Sequence, residues 1–113
     1  MTNRKPIPKK IREGVYRRFG GRCAYCGKEI TLKDMQVDHI QSVYQGGEDS
    51  LENYRASCRA CNFYKGGGDT EYLRSQVSQI AKRLSERNFT FKLALTYGLI
   101  SINEKPIVFE FEK

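Results

Sequence analysis

Apolar residues near the N-terminus recur at helical spacing. Four of them fall at positions i, i+4, i+5 and i+8: Ile11, Val15, Tyr16 and Phe19. This stripe predicts an amphipathic helix. Pro8 suits the first turn of the helix and the glycine pair 20–21 suits its end. Residues 1–7 lack such a stripe and are predicted to form a disordered arm.

Shorter elements are predicted in the middle of the chain. Met35–Ile40 has the pattern of a short strand. A loop over Ser42–Ser50, with a glycine pair at 46–47, separates it from an element that starts at Leu51. Two Cys-x2-Cys pairs flank this region, and each predicts a tight turn, or knuckle. The second knuckle is predicted to continue into a short helix.

The C-terminal part begins with a clearer helix. Asp69 is a good N-cap, and five apolar residues then share one helical face up to Asn88: Leu73, Val77, Ile80, Ala81 and Leu84. Residues 89–97 fit a helix or a strand. Leu99–Ile102 and Ile107–Phe111 alternate and predict a hairpin.

Length and composition narrow the class of protein. A chain of 113 residues allows one domain. Thirteen Tyr and Phe residues and a 39% hydrophobic content argue against a disordered chain. No apolar run approaches the ~20 residues of a membrane span. The N-terminus has no secretory signal pattern, so we expect a reducing, cytoplasmic location.

The positive charge is concentrated at one end. Residues 1–22 carry eight cations and one anion, which accounts for the whole net charge of +7. Such asymmetry is typical of a polyanion binder, most often of nucleic acid. A solubilising tail or a solvated helix face is the alternative. Membrane attachment is disfavoured because the segment lacks a large apolar face and a lipidation motif.

The four cysteines form two pairs, Cys23-x2-Cys26 and Cys58-x2-Cys61. Two such pairs predict one tetrahedral zinc ion bound by four thiolates. Disulfides, free thiols or another metal are the alternatives. A four-thiolate site leaves no position open for substrate, so its contribution is to folding, on the order of 10–16 kcal/mol.

The single histidine, His39, follows Asp38 and ends the apolar strand; Asn53, Asn62 and Lys65 come later. These residue types suit a hydrolytic site that acts on phosphate. Carboxylate and amide oxygens are ligands for a hard cation such as Mg²⁺. An imidazole can take a proton from water, and a lysine can hold a phosphate oxygen.

Five motifs occur in order along residues 12–67: Cys23-x2-Cys26, Asp38-His39-Ile40, Gly46-Gly47, Ser50-Leu51-Glu52-Asn53 and Cys58-Arg-Ala-Cys61-Asn62-Phe-Tyr-Lys65-Gly66. Together they resemble the zinc-stapled HNH endonucleases, the ββα-metal nucleases. Asn62 stands where many members have histidine, so the chain resembles the HNN variant. The resemblance implies an α+β fold with a small ββα-metal core, an N-terminal basic helix, a C-terminal helix and a possible hairpin.

The implied domain organisation is a single nuclease domain over residues 1–113. Residues 1–11 would be the basic arm and the helix start, 12–67 the zinc-stapled core and 68–113 a C-terminal extension.

The resemblance also implies roles at the site. His39 matches the general base, and Asp38 and Asn62 match the residues that hold a catalytic divalent ion. Asn53 matches the residue that fixes the loop between the strands. The amide at position 62 favours Mg²⁺, while Mn²⁺, Co²⁺ and Ni²⁺ stay open. The implied activity is metal-dependent endonucleolytic hydrolysis of DNA phosphodiester bonds.

Candidate nucleic-acid contacts lie on two segments. Lys65 and then Arg59 are the candidates on the helix after the second knuckle, and three more belong to the basic region: Arg17, Arg18 and Arg22. The expected partner is DNA, double-stranded rather than single-stranded, with RNA as an open alternative and no membrane. The helix over residues 69–88 suggests a possible homodimer. The resemblance further suggests a phage or mobile-element setting.

Two other functions share parts of this pattern. A non-catalytic zinc module that binds nucleic acid would need the cysteines and the basic segment, but not Asp38, His39 and Asn62. A protein-binding module would show an exposed apolar patch over residues 89–97 or the C-terminal hairpin.

Neighbouring residues on a strand point to opposite faces, so Asp38 and His39 share a site only where the strand ends or twists.

Overall fold

The computed structural model describes residues 6–41 and 46–113. Predictions for the arm before residue 6 and for loop residues 42–45 lie outside the described residues. Five α-helices and two strands are found in the described ranges: α1 Lys9–Arg18, β1 Gln36–His39, β2 Tyr54–Ser57, α2 Arg59–Lys65, α3 Thr70–Ser78, α4 Ile80–Arg87 and α5 Phe89–Thr96. Short 3₁₀ helices cover Leu51–Asn53 and Glu110–Glu112.

The N-terminal helix α1 forms where the apolar stripe predicts it. Pro8 is its N-cap, and Val15 is fully buried. The two glycines that follow have φ of 64° and 72°, a left-handed conformation that favours glycine and ends the helix. On the same helix, Arg12 donates hydrogen bonds to the carbonyls of Leu32 and Met35, at 2.8 and 2.9 Å. These bonds fasten α1 to the segment before β1.

Strands β1 and β2 form one antiparallel pair with core clusters on its two faces. The register pairs Asp38 with Arg55 and His39 with Tyr54. Alternate side chains of a strand point to opposite faces. One cluster consists of Val15, Met35, Tyr54 and Ala56, and the other of Cys23, Tyr25, Cys58, Leu73 and Phe109. His39 therefore lies on the α1 face, and Asp38 on the face of the cysteines.

Both cysteine pairs adjoin strand β2. The amide of Ala24, in the first knuckle, donates to the carbonyl of Ala56 at 2.8 Å. Cys58 directly follows β2 and caps α2, because its Sγ accepts a hydrogen bond from the amide of Cys61 at 3.4 Å. Helix α2 ends at Gly66, with φ 53°. The strand pair and α2 form the α+β core that the sequence predicts.

The helix predicted from Asp69 to Asn88 is two helices. Asp69 does cap the first, since its carboxylate accepts from the amide of Tyr72 at 2.7 Å. At Gln79 the amide bonds to the carbonyl of Gln76, only three residues back, and this tighter turn separates α3 from α4. The ambiguous segment that follows is helix α5.

The prediction of a C-terminal hairpin is wrong. No strand forms within residues 99–113, all of which are described. The amides of Glu110 and Phe111 instead donate to the carbonyls of Tyr25 and Ala24, both at 2.9 Å. The end of the chain thus bonds to the first cysteine knuckle rather than to itself. The alternation of apolar and polar residues indicates a segment with one buried face, but it does not indicate which part of the chain the backbone of that segment bonds to.

Helix α5 leaves large apolar side chains exposed. Phe89 is 78% exposed, Tyr97 74% and the following Leu99 78%. No helix among the described residues is long and apolar enough to cross a bilayer.

Candidate active site and metal centre

The four cysteine sulfurs converge. All four Sγ atoms lie within 4.8 Å of one another, and those of Cys26 and Cys58 are 3.8 Å apart. Cys23 and Cys58 are buried, whereas Cys26 is exposed. Four thiol sulfurs at this spacing suit one tetrahedral ion such as zinc. Cys26 and Cys58 are 32 positions apart in sequence, and the fold joins their two pairs into one group that can hold a metal.

The thiols influence one another strongly. A hydrogen bond from Cys61 lowers the pKa of Cys23 to about 4. The same contact raises the pKa of Cys61, because Cys23 takes the charge. Burial is the main cause that raises the pKa of Cys26. Several thiolates are therefore unfavourable together without a cation, and a bound dication would remove that repulsion.

His39 is the last residue of β1, and a carboxylate orients its ring. Its Nε2 lies 2.8 Å from Oδ1 of Asp49, and the same oxygen accepts a hydrogen bond from the Tyr54 hydroxyl at 3.1 Å. The Tyr54 ring also meets the imidazole edge-on, with 5.2 Å between centroids. If Nε2 donates to the carboxylate, the neutral imidazole carries its basic lone pair on Nδ1.

Asn53 holds the two ends of the loop that follows His39. Its Oδ1 accepts from the amide of Gln41 at 2.9 Å. Its Nδ2 donates to the carbonyls of Gln41 and Glu48, at 3.0 and 2.8 Å. Its own carbonyl accepts from the amide of Ile40 at 2.8 Å. The loop-fixing role implied for this residue requires contacts of this kind.

Asp38 lies on the opposite face from His39 and is 4% exposed. Its Oδ1 accepts from the Lys65 ammonium at 3.1 Å, and its Oδ2 accepts from the Tyr25 hydroxyl. Burial and the negative charge of Asp38 raise the pKa of Tyr25, so this tyrosine stays a hydrogen-bond donor. The carboxylate is thus fixed between the first knuckle and α2.

Lys65 does not present its ammonium to the surface. The side chain is 1% exposed, and Nζ also donates to the carbonyl of His39 at 2.8 Å. The predicted phosphate contact at Lys65 therefore needs correction, because a phosphate would have to displace two buried partners. The helical spacing of Arg59, Asn62 and Lys65 runs from the exposed surface into the interior rather than along one accessible side.

The predicted ligands of a catalytic divalent ion have suitable chemistry. Asp38 offers carboxylate oxygens, and Asn62, half-buried on α2, offers an amide oxygen. Oxygen donors suit a hard cation. Each carboxylate oxygen has a second lone pair besides the one that accepts from Tyr25 or Lys65. The donor set therefore fits such an ion, which would share Asp38 with these two hydrogen-bond donors.

The arginines predicted to contact nucleic acid differ in their surroundings. Arg17 is 72% exposed, with Glu13 at 3.9 Å. Arg18 donates to the carbonyl of Leu51 at 3.2 Å. Arg22 pairs with Glu29 at 3.3 Å and donates to the carbonyl of Gly27. Local contacts thus engage Arg18 and Arg22, while Arg17 extends from the surface.

Sequence reasoning missed two residues of the site, Tyr25 and Asp49. Tyr25 lies between the cysteines of the first knuckle, a position that metal binding buries, and a buried phenol needs a polar partner. Asp49 lies in the loop before β2 and has no spacing relation to His39. Only the closure of that loop brings it to the imidazole.

Comparisons with known proteins find similarity in the middle of the chain. Residues 23–67 match the HNH endonuclease family profile. Over 45 residues, 39% of this chain, the sequence is 44% identical to the CRISPR-associated endonuclease Cas9 of Corynebacterium diphtheriae, of which it spans 4%. The crystal structure of the Type II-C Cas9 enzyme from Actinomyces naeslundii superposes with a TM-score of 0.48 at 19% identity, over 91% of this chain and 12% of that one. The matched segment holds both cysteine pairs, Asp38, His39, Asn53 and Asn62, so residues 23–67 of this chain are similar to the HNH endonuclease family.

Proposed function

We propose that this chain is a metal-dependent nuclease that hydrolyses phosphodiester bonds of DNA. His39 is the general base that takes a proton from the attacking water. Asp38 and Asn62 hold one divalent ion, with Mg²⁺ favoured by their oxygen donors. When bound, that ion supplies electrostatic stabilisation of the phosphate and of the leaving oxygen. The ion held by the four cysteines is zinc, and its role is structural.

The observation that carries this proposal is the support around His39. Asp49 orients the imidazole through Nε2, and Asn53 closes the loop that contains this carboxylate. A histidine that acts as general base needs a fixed ring orientation and a defined tautomer. A strand end that served only to pack a core would not require a histidine tied to a 60%-exposed carboxylate.

The positions of Asp38 and His39 on opposite faces of β1 suit in-line displacement. In that geometry the attacking and leaving oxygens stand on opposite sides of phosphorus. A phosphodiester at the end of β1 would meet the imidazole on one side and the Asp38 face on the other. Strand β1 ends at His39, so the phosphodiester would lie at the terminus of the strand.

A plasmid assay tests the proposal. Supercoiled plasmid is incubated with the zinc-loaded protein, with and without Mg²⁺, beside His39→Ala and Asp38→Asn. We expect nicking by the parent protein only with Mg²⁺, and none by His39→Ala at equal zinc content. Full activity in His39→Ala would remove the proposed base.

One observation favours a non-catalytic nucleic-acid-binding zinc module as the second candidate. The buried Asp38 carboxylate already has an ammonium partner in Lys65, so its charge is balanced without a divalent ion. In the same assay this module would bind plasmid and shift it on a gel, but would leave it uncut at every Mg²⁺ concentration.

A protein-binding role has its own supporting observation. The exposed side chains of Phe89, Tyr97 and Leu99 form part of the apolar surface that such a role needs. These three residues lie outside the family-matched segment, residues 23–67. Binding to neither plasmid nor oligonucleotide would favour this candidate over the first two.

A further inference from the structure

A surface groove on the α2 side of the molecule combines cationic, amide and aromatic side chains. It is lined by Lys28, Gln36, Arg59, Asn62, Phe63 and Tyr64. An adjoining groove shares the first three of these residues and continues past Lys33. Gln36 is two residues before Asp38 on β1 and therefore on the same face of the strand. The groove thus leads from the Asp38–Asn62 region along the first cysteine knuckle.

The aromatic side chains of the groove are unusually exposed. Phe63 is 81% exposed and Tyr64 45%, and their rings meet edge-on at 6.2 Å between centroids. Helix α2 is held from its other sides, because Cys61 belongs to the sulfur cluster and Lys65 is buried against Asp38. Position 63 consequently faces outward on a rigid helix and adds nothing to either core cluster. Its ring offers a flat apolar surface to a ligand.

The charges of the groove favour an anionic ligand. Within the described residues, Lys28, Lys33 and Arg59 take part in no ion pair. Asp34 and Glu29 also line the continuation of the groove, but Glu29 is paired with Arg22. Cations beside an exposed aromatic ring are the combination that binds a nucleic-acid strand: the cations hold its phosphates and the ring stacks on a base. A purely apolar peptide would gain nothing from Lys28 and Arg59.

We propose that this groove binds an unpaired nucleotide next to the scissile phosphate. The base stacks on Phe63, and the phosphates of the strand lie against Lys28 and Arg59. A base inside a duplex already has neighbours on both faces, so only an unpaired or terminal base can stack on this ring. This proposal rests on the proposed nuclease function in one respect: Asn62, at one end of the groove, is taken to lie next to the cleaved bond. The substrates that offer such a nucleotide are a single strand, a flap or a distorted duplex.

Binding without cleavage tests this proposal separately from catalysis. Fluorescence anisotropy is measured on a labelled 20-nucleotide single strand and on the matching duplex, with zinc-loaded protein and no added Mg²⁺. Phe63→Ala should weaken single-strand binding about 5-fold or more, the loss expected for one stacked base, and leave duplex binding within twofold. Phe63→Tyr should retain binding. Phe89→Ala is the matched control, because Phe89 is similarly exposed on α5, and it should change neither affinity.

Stacking also has a spectroscopic signature in this chain. The sequence contains no tryptophan, so Phe63→Trp introduces a single reporter. Its fluorescence should be quenched when single strand is added, whereas Phe89→Trp should not respond. Unchanged single-strand affinity in Phe63→Ala, equal losses for single strand and duplex, or an unquenched Trp at position 63 would each overturn the proposal. Intact stacking in a parent protein that fails to cleave with Mg²⁺ would count against the nuclease function alone.

Discussion

The ammonium of Lys65 lies 3.1 Å from Oδ1 of Asp38, and both side chains are almost fully buried. The same ammonium donates to the carbonyl of His39, so one lysine ties α2 to the last two residues of β1. A buried ion pair adds little net stability over an apolar replacement, but removal of one partner leaves an uncompensated charge. Lys65 therefore acts on the site by positioning Asp38.

Replacement of this lysine should cost stability rather than phosphate affinity. Lys65→Met would leave Asp38 buried without its cation, and we expect the free energy of unfolding to fall by about 3–5 kcal/mol. Urea denaturation of the zinc-loaded protein measures this change. Lys82→Met, an exposed position on α4, is the control. Equal stability of Lys65→Met and the parent protein, with a flatter salt dependence of DNA binding, would restore the phosphate-contact role.

The cysteine cluster gives the second prediction. Cys58 belongs to the cluster and also caps α2, so Cys58→Ser should cost both the metal and the fold. Structural zinc contributes on the order of 10–16 kcal/mol of apparent binding energy, more than a domain of this size has in reserve. Zinc content and far-ultraviolet circular dichroism are the measurements. A chelator should unfold the parent protein, and added Zn²⁺ rather than Mg²⁺ should refold it. A zinc-free variant that unfolds cooperatively would contradict the structural role.

The cysteine cluster, the first helix and the strand within Met35–Ile40 could be predicted because their signals lie close together in the sequence, whereas the second strand followed only from the family resemblance. Two Cys-x2-Cys pairs predict a shared metal site whatever the fold between them, and the four sulfurs do converge. The stripe of Ile11, Val15 and Phe19 specifies α1 and its buried face.

Long-range partners could not be predicted from such signals. The Lys65 ammonium is buried because of how α2 packs against β1. The helical spacing of Arg59, Asn62 and Lys65 does not indicate which of these side chains is buried. The C-terminal segment alternates as a strand does, yet its amides bond to Tyr25 and Ala24. Alternation of apolar and polar residues indicates that one face of the segment is buried. It does not indicate which groups accept hydrogen bonds from the backbone amides of the segment.

The carboxylate beside the proposed base gives the third prediction. His39→Ala should lower the cleavage rate by about 10²–10⁴, the usual contribution of a general base. Asp49→Asn should lower it less, because an amide can still accept from Nε2 but no longer stabilises an imidazolium. Single-turnover cleavage of a labelled strand at saturating protein separates this effect from binding. A rate for Asp49→Asn equal to that of the parent protein would exclude Asp49 from the positioning of His39.

The exposed cations of α1 give a prediction on salt dependence. Lys9 is 87% exposed and Arg17 72%, and Lys10 adjoins them on an exposed turn. Replacement of all three by Gln should reduce the slope of log affinity against log salt by up to about 2.7, since each neutralised phosphate contributes about 0.9. The same replacement of Lys82 and Lys92, on α4 and α5, is the control. An unchanged slope in the α1 variant would mean that DNA binds elsewhere.

Acid should loosen the C-terminal segment from the first knuckle. A hydrogen bond from Arg74 is the main cause that lowers the pKa of Glu112 from its ordinary 4.5 to about 2. Glu112 also accepts from the amide of Phe109 at 2.8 Å, so its charge holds the segment that covers Tyr25. A lowered pKa means that this contribution is fully present above about pH 4.5 and is lost as the pH falls towards about 2.

The melting temperature of Glu112→Gln therefore should lie below that of the parent protein at neutral pH, and the gap should narrow as the pH falls below 4.5. Glu86→Gln, an exposed position on α4, should show no gap at any pH. Zinc content is measured in each sample, because thiolate protonation in acid would release the metal from all three proteins alike. A difference in melting temperature between Glu112→Gln and the parent protein that stays constant between neutral pH and pH 3 would show that the charge of Glu112 does not hold the C-terminal segment. A gap that vanishes only when zinc is lost would assign the acid sensitivity to the cysteine cluster instead.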